Sequence, residues 1–319
     1  LVDRVRVAFG TGVVLGLWDG RMESPPTTAH LLTYHDGRCS ASCGFCPQAR
    51  ESTSDLKMLS RVLWPHYQLE KVLSALGENG KKFQRVCIQA VNYPGAVEDL
   101  CVLVKKIKDE ISLPISVSCH PVPREVMERL ESLGVERICF PLDAVTPEVF
   151  DRTKDGYSWS THIKALKDAK DVFGFRVTTH LIVGLGESER EVVQAIGMLD
   201  GMGVAVALFA FTPIRGTPLA SHPRPDLDSY HRIQLARHLI SQHLGTAEGM
   251  KFKGSKIVDF GVEENTMDKL ARSGEPFRTS GCPGCNRPFY NESPHGPIYN
   301  YPRKPTVKET ESIMETLQK

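Results

Sequence analysis

Between residues 84 and 245, short runs rich in β-branched and aromatic residues alternate with stretches whose apolar positions recur at a helical spacing. The β-rich runs are 85–88, 115–119, 137–140, 176–183 and 204–211. Residues 29–34, bracketed by Pro25-Pro26 and His35-Asp36-Gly37, predict one further strand ahead of them. Amphipathic spacing predicts helices over 69–76, 97–111, 126–133, 163–172, 192–199 and 233–244. Pro123, Thr146-Pro147-Glu148 and Asp226 or Asp228 supply start signals for some of them. Successive βα units imply an α/β fold, and their number predicts an incomplete (β/α)6 TIM-like barrel, with a doubly wound open sheet as the alternative. Either fold binds its ligands at the carboxyl ends of the strands. The pattern divides the chain into an N-terminal extension (1–28), the barrel (29–245) and a C-terminal extension (246–319). Within the last, the Pro- and Gly-rich stretch 274–305 is expected to pack on the barrel mouth.

Composition narrows the class. The 319 residues are 41% hydrophobic and 24% charged, enough apolar material for a core and unlike a disordered or collagen-like chain. With 39 basic against 38 acidic residues the net charge is +1, which leaves no electrostatic footprint for nucleic acid or an anionic membrane surface. The apolar run Val13–Trp18 is too short to span a bilayer, and a cytoplasmic protein is expected. Nine cysteines, an odd number, argue against a disulfide framework. Cys39, Cys43 and Cys46 crowd together, Cys282 and Cys285 form a C-x-x-C, and Cys87, Cys101, Cys119 and Cys139 stand singly. The single cysteines read best as small buried apolar residues.

The loop Cys39-Ser40-Ala41-Ser42-Cys43-Gly44-Phe45-Cys46 follows the first predicted strand of the barrel, where such a fold places its chemistry. Three thiolates this close suit three corners of a cubane, whereas structural zinc wants a fourth ligand nearby. A zinc knuckle or three unrelated thiols are the alternatives.

A C-x3-C-x2-C with an aromatic before its last cysteine, in this place, resembles the radical S-adenosylmethionine superfamily. The resemblance implies that Cys39, Cys43 and Cys46 hold a [4Fe-4S] cluster whose fourth iron is chelated by S-adenosyl-L-methionine, with Phe45 near the adenine. It also implies cleavage of the sulfonium to a 5′-deoxyadenosyl radical, with electrons from a donor such as ferredoxin or flavodoxin. Leu181-Ile182-Val183-Gly184-Leu185-Gly186-Glu187 is similar to the family's fifth-strand motif, which places Ile182, Gly184 and Glu187 beside the cofactor. By itself that segment is only a weak phosphate-loop signal. Asp143 occupies the fourth strand end, where relatives bind the ribose; a loop or capping carboxylate is the plainer reading. Gln89 and Asn92 stand where relatives carry Gly-Gly-Glu for the amino group.

Residues 30–245 resemble biotin synthase, with Cys87 at one of its sulfur-cluster positions but Ser116 and Thr178 where further cysteines would be expected. The segment Arg278–Pro288 carries Cys282 and Cys285 in a tight turn that presents two thiolates to one metal centre, an auxiliary iron-sulfur cluster in preference to zinc. Cys87, Cys119 and Cys139 are candidates to complete it. The whole chain is similar to the archaeal two-protein type of lipoyl synthase, which implies a second radical enzyme subunit and an octanoylated carrier protein as substrate. No cysteine precedes Cys39, so the N-terminal triplet of bacterial lipoyl synthase has no counterpart in this sequence. The other readings are a biotin synthase-like or methylornithine synthase-like enzyme acting on a small molecule, and an iron-sulfur or zinc binding module without catalysis.

Overall fold

A computed structural model of the chain describes residues 2–317. Six parallel strands carry the barrel: β2 (Thr28–Thr33), β4 (Arg85–Gln89), β5 (Ile115–Ser118), β6 (Val135–Cys139), β7 (Val177–Val183) and β8 (Ala205–Ala210), paired in that order. A short helix α1 (Phe9–Val14) precedes β2, and helices α2 (Leu69–Asn79), α3 (Ala96–Glu110), α4 (Arg124–Ser132), α5 (Pro147–Thr153), α6 (Trp159–Phe173), α7 (Glu189–Gly201) and α8 (Leu227–Ser241) connect the strands and follow the last of them. The sheet does not close on itself: its order is β8-β7-β6-β5-β4-β2-β1-β3, where β1 (Arg4–Val7) and β3 (His66–Gln68) add antiparallel beyond β2. The expected partial barrel is therefore present, widened by two strands. β1 lies in the segment read as an extension, and its Arg-Val-Arg-Val pattern gave no clear strand signal because Arg6 is itself buried, donating to Gln48 and to the carbonyls of Leu56 and His35.

Alternation decides which side chains enter the barrel. On β4, Val86 and Ile88 are fully buried in the apolar layer shared with the helices, while Cys87 and Gln89 line the interior cavity. Helix ends follow local chemistry. Thr146 caps α5 through Val149 N–H, and Ser188 and Glu191 form a reciprocal capping box on α7. Asp226, not Asp228, caps α8.

Beyond α8 come a hairpin (β9 Lys251–Lys253, β10 Lys256–Asp259), α9 (Glu264–Ser273) and α10 (Val307–Leu317), with a strap between the two helices. The strap is not confined to the mouth. Its Asn286 and Gly284 accept from Thr27, and the Pro283 carbonyl accepts from Arg85 Nε, at the amino ends of β2 and β4. Farther on, Asn291 accepts from Thr212 and the carbonyls of Phe289 and Glu292 accept from Arg61, beside the mouth. Along the way Ser280 Oγ accepts from Leu208 N–H at 2.9 Å and Arg287 donates to the Leu208 carbonyl, so the strap satisfies part of the exposed edge of β8. Among the described residues no helix is long and apolar enough to cross a membrane.

Candidate active site

The three-cysteine loop sits over the carboxyl ends of the strands. Cys39 N–H donates to the Gln48 carbonyl at 2.9 Å and Cys46 N–H to the Cys43 carbonyl at 3.0 Å, which fold the loop back on itself. A two-residue ladder joins Ser42-Cys43 to Lys154-Asp155 after α5, so the barrel helices hold the loop from outside. All three thiols are free and half-buried, and they line one cavity with Gln89, Asn92, Asp143 and Tyr157. Burial pushes the Cys46 thiol up to about 12 and raises Cys43 as well, the nearby Lys154 opposing the latter shift. Left alone these groups would stay protonated, and thiolates there need the positive charge of bound metal. Among the described residues no three Cys, His, Asp or Glu side chains converge on a single point that one ion could fill. A cluster does not require such convergence, because each thiolate takes its own iron. The donor set fits a cubane.

Asp143 has φ 64° and bridges to Leu181 of β7; its carboxylate accepts from Lys154 Nζ at 2.8 Å, both side chains nearly sealed from solvent. It caps no helix, since that place on α5 belongs to Thr146. Phe45, Gln89 and Asp143 line both the loop cavity and a deeper cleft inside the barrel, whose wall also includes Ile182. Gly184 ends β7 with φ 106°, where a Cβ would lie 2.8 Å from Pro225 Cδ and a side chain is excluded. Its carbonyl accepts from His222 Nε2. Glu187 is turned back into that loop, accepting from the Gly184 and Leu185 N–H groups at 2.5 and 3.0 Å, so it braces the turn. Asn92 lies farther out, its amide donating to Tyr157 Oη at 3.3 Å.

Several residues enter the site without a sequence signal. Lys154 and Tyr157 come from the α5–α6 connection, and His180 of β7 lines both cavities. Burial, reinforced by Arg287 and then Lys154, lowers His180 to about 3, so its imidazole is neutral. A lone lysine or histidine has no periodicity to betray it; only the alternation along Val177–Val183, applied to His180, points it inward.

A model of the Radical SAM superfamily matches residues 33–199, just over half of the chain and the segment that carries the cysteine loop and the Asp143 and Gly184 strand ends. The chain belongs to the radical SAM superfamily. Membership implies a [4Fe-4S] cluster and S-adenosylmethionine. Among relatives of this radical SAM protein, a biotin synthase of Streptococcus agalactiae serotype III (strain NEM316) is 24% identical over 200 residues, 60% of this chain and 58% of that one. A biotin synthase of Acidithiobacillus ferrooxidans (strain ATCC 53993 / BNL-5-31) is 26% identical over 219 residues, 66% of each chain. In both, the match spans less than two thirds of the relative's length. Among solved structures a methylornithine synthase shares the fold, with a TM-score of 0.54 at 17% identity over 73% of this chain and 66% of that one.

At the opposite end of the same cleft stand Cys282 and Cys285 of the strap, with Cys87 and Ser116; Cys139, at the carboxyl end of β6, and its partner Thr178 on β7 also line the cleft. Cys101 on α3 lines neither cavity and packs in the apolar layer. Cys119 is buried and lines the loop cavity, not the cleft beyond it.

Proposed function

We propose that this radical SAM enzyme inserts sulfur at unactivated carbon, with an octanoyl chain on a carrier lysine as its substrate, in the manner of a lipoyl synthase. The observation that carries the reading is the interior cleft, walled at one end by Phe45, Cys46 and Asp143 and at the other by the thiols of Cys87, Cys282 and Cys285. In this reading Cys39, Cys43 and Cys46 hold the [4Fe-4S] cluster, and Cys282 and Cys285 belong to an auxiliary one. S-adenosylmethionine, when bound to the reduced cluster, supplies a 5′-deoxyadenosyl radical able to abstract hydrogen from a saturated carbon. Phe45, Gln89, Asn92, Asp143, Ile182 and Gly184 shape its pocket, with Lys154 fixing the Asp143 carboxylate and Glu187 fixing the Gly184 turn. The strap and the barrel wall shield the cleft from water, which a radical at carbon requires. Its largely apolar lining, with Val117, Phe209, Ala210 and Phe211, suits an acyl chain better than a charged small molecule.

A ferredoxin- or flavodoxin-like donor supplies the electrons, and a second radical subunit works with this one. The biotin synthase relatives and the inward-facing Cys87 favour one competing reading, sulfur insertion into a small molecule. The two are separated by incubating the anaerobic, reduced protein with S-adenosylmethionine and either an octanoyl-lysine peptide or dethiobiotin, with and without a partner subunit. Thiolated octanoyl peptide is the expected product. Thiolation of dethiobiotin alone would replace this reading by its competitor.

A further inference from the structure

Strand register places three side chains in a row across the barrel interior. Cys87 on β4 is the Cα partner of His30 on β2 and of Ser116 on β5. Each neighbour touches one sulfur of the strap: Cys285 Sγ lies 3.9 Å from His30 Nε2, and Ser116 Oγ lies 3.7 Å from Cys282 Sγ. The Cys87 thiol thus faces the interior between the two contact points of the C-x-x-C, and the three thiols border one cavity. The strap is held at this depth by the Thr27 and Arg85 bonds to Gly284, Asn286 and Pro283. Gly284 suits the turn of the strap here, since its φ of 75° is one that a side chain disfavours.

The pocket around these sulfurs holds polar atoms with nothing to bond. His30 is 1% exposed and its Nδ1 has no partner; the same is true of Thr178 Oγ1 and Arg287 Nη1. Buried donors are seldom left so, and a group bound among them would supply acceptors for the Thr178 hydroxyl and the Arg287 guanidinium. Three thiolates with cationic and N–H donors round them suit a cluster bearing sulfide ions, whose acceptor sulfurs can take those hydrogen bonds.

Resting on the sulfur-insertion reading, we infer that Cys87, Cys282 and Cys285 together ligate the auxiliary iron-sulfur cluster, leaving one iron open to the cleft. The strap brings two ligands through the amino-terminal end of the barrel, and β4 contributes the third. Cys101 and Cys119 take no part, nor does Cys139, which stands at the carboxyl end of β6 opposite Ser118 and outside this row, and Ser116, Thr178 and His30 surround the cluster.

The full-length chain, reconstituted anaerobically with iron and sulfide, tests this without any turnover. Wild type is expected to bind about eight irons and the Cys39→Ala/Cys43→Ala/Cys46→Ala variant about four, two cubanes against one. Adding Cys87→Ala, or Cys282→Ser on the strap, to that variant should abolish the remaining iron and its sulfide-to-iron absorption, whereas adding Cys101→Ala should leave them. Circular dichroism and thermal melting establish that each variant is folded; were the triple variant unfolded, Cys87→Ala in wild type should halve the iron. Iron undiminished by Cys87→Ala, no iron in a folded triple variant, or one zinc in place of the second cluster would overturn the assignment. Iron counts as expected but no thiolated product would instead overturn the sulfur-insertion reading and leave the metal site standing.

Discussion

Glu292 is 1% exposed in the strap, and its Oε2 has no hydrogen-bond partner. Burial raises its carboxyl to about 8 although Arg287, Arg61 and Arg224 all pull the other way. Desolvation therefore outweighs three cations. A carboxyl raised from 4.5 in the open chain to about 8 in the fold binds its proton more tightly when folded, so its stabilising effect is complete below about 4.5 and is lost as pH climbs to about 8. Glu292→Gln keeps the shape and removes the titration. Over pH 5 to 8 the variant should gain stability relative to wild type by on the order of a few kcal/mol, read from denaturant unfolding. Parallel curves would show that the group is not buried as described. This buried carboxylate was invisible in the sequence, where Glu292 sits among loop residues that usually face water. The three-cysteine loop was legible because its spacing is itself the chemistry, while the Lys154–Asp143 pair depends on a ladder between segments more than a hundred residues apart.

Elements depend on a small number of polar contacts between apolar faces. Arg232 of α8 and Glu189 at the start of α7 are each 8% exposed and meet at 2.6 Å, and the same carboxylate accepts from Ile257 N–H of β10 at 2.8 Å. One glutamate thus ties two barrel helices to the hairpin that follows them. Arg232→Met would leave that carboxylate buried without its cation, at a cost of about 3 kcal/mol. Glu189→Gln/Arg232→Met should recover part of the loss, and an unfolding double-mutant cycle measures it; additive losses would mean that the pair is not coupled. The parallel strands and their helices were readable from the chain because each carries its own periodicity, and their ends shifted by only a few residues. β1 and β3 were not: β3 is a short edge strand, which needs only a few apolar positions, and β1, inside the sheet, buries the charged Arg6. α5 announced itself only by Thr146-Pro147, and α9 and α10 lay in the C-terminal extension, on either side of the Pro- and Gly-rich stretch 274–305, where no helix was predicted.

At the scale of the whole molecule the unclosed barrel and the strap form one construction. A sheet that stops at β8 leaves an unpaired edge and an open interior; Ser280 and Arg287 bond the edge, while Cys282 and Cys285 enter the interior from the end opposite the three-cysteine loop. The strap resisted sequence reading because its place is fixed by individual bonds to Thr27, Arg85 and Leu208, not by a repeating pattern. The outcome is a single cleft with a thiol set at each end, which in the proposed function separates the site of radical generation from the site of sulfur transfer. That division gives the most direct test: the reduced full-length protein, reconstituted with iron and sulfide, is incubated anaerobically with S-adenosylmethionine and the released 5′-deoxyadenosine is quantified. Steady release is expected from wild type and from Cys282→Ala, and none above background from Cys43→Ala. Release that survives Cys43→Ala, or none from wild type carrying its full iron, would contradict that division.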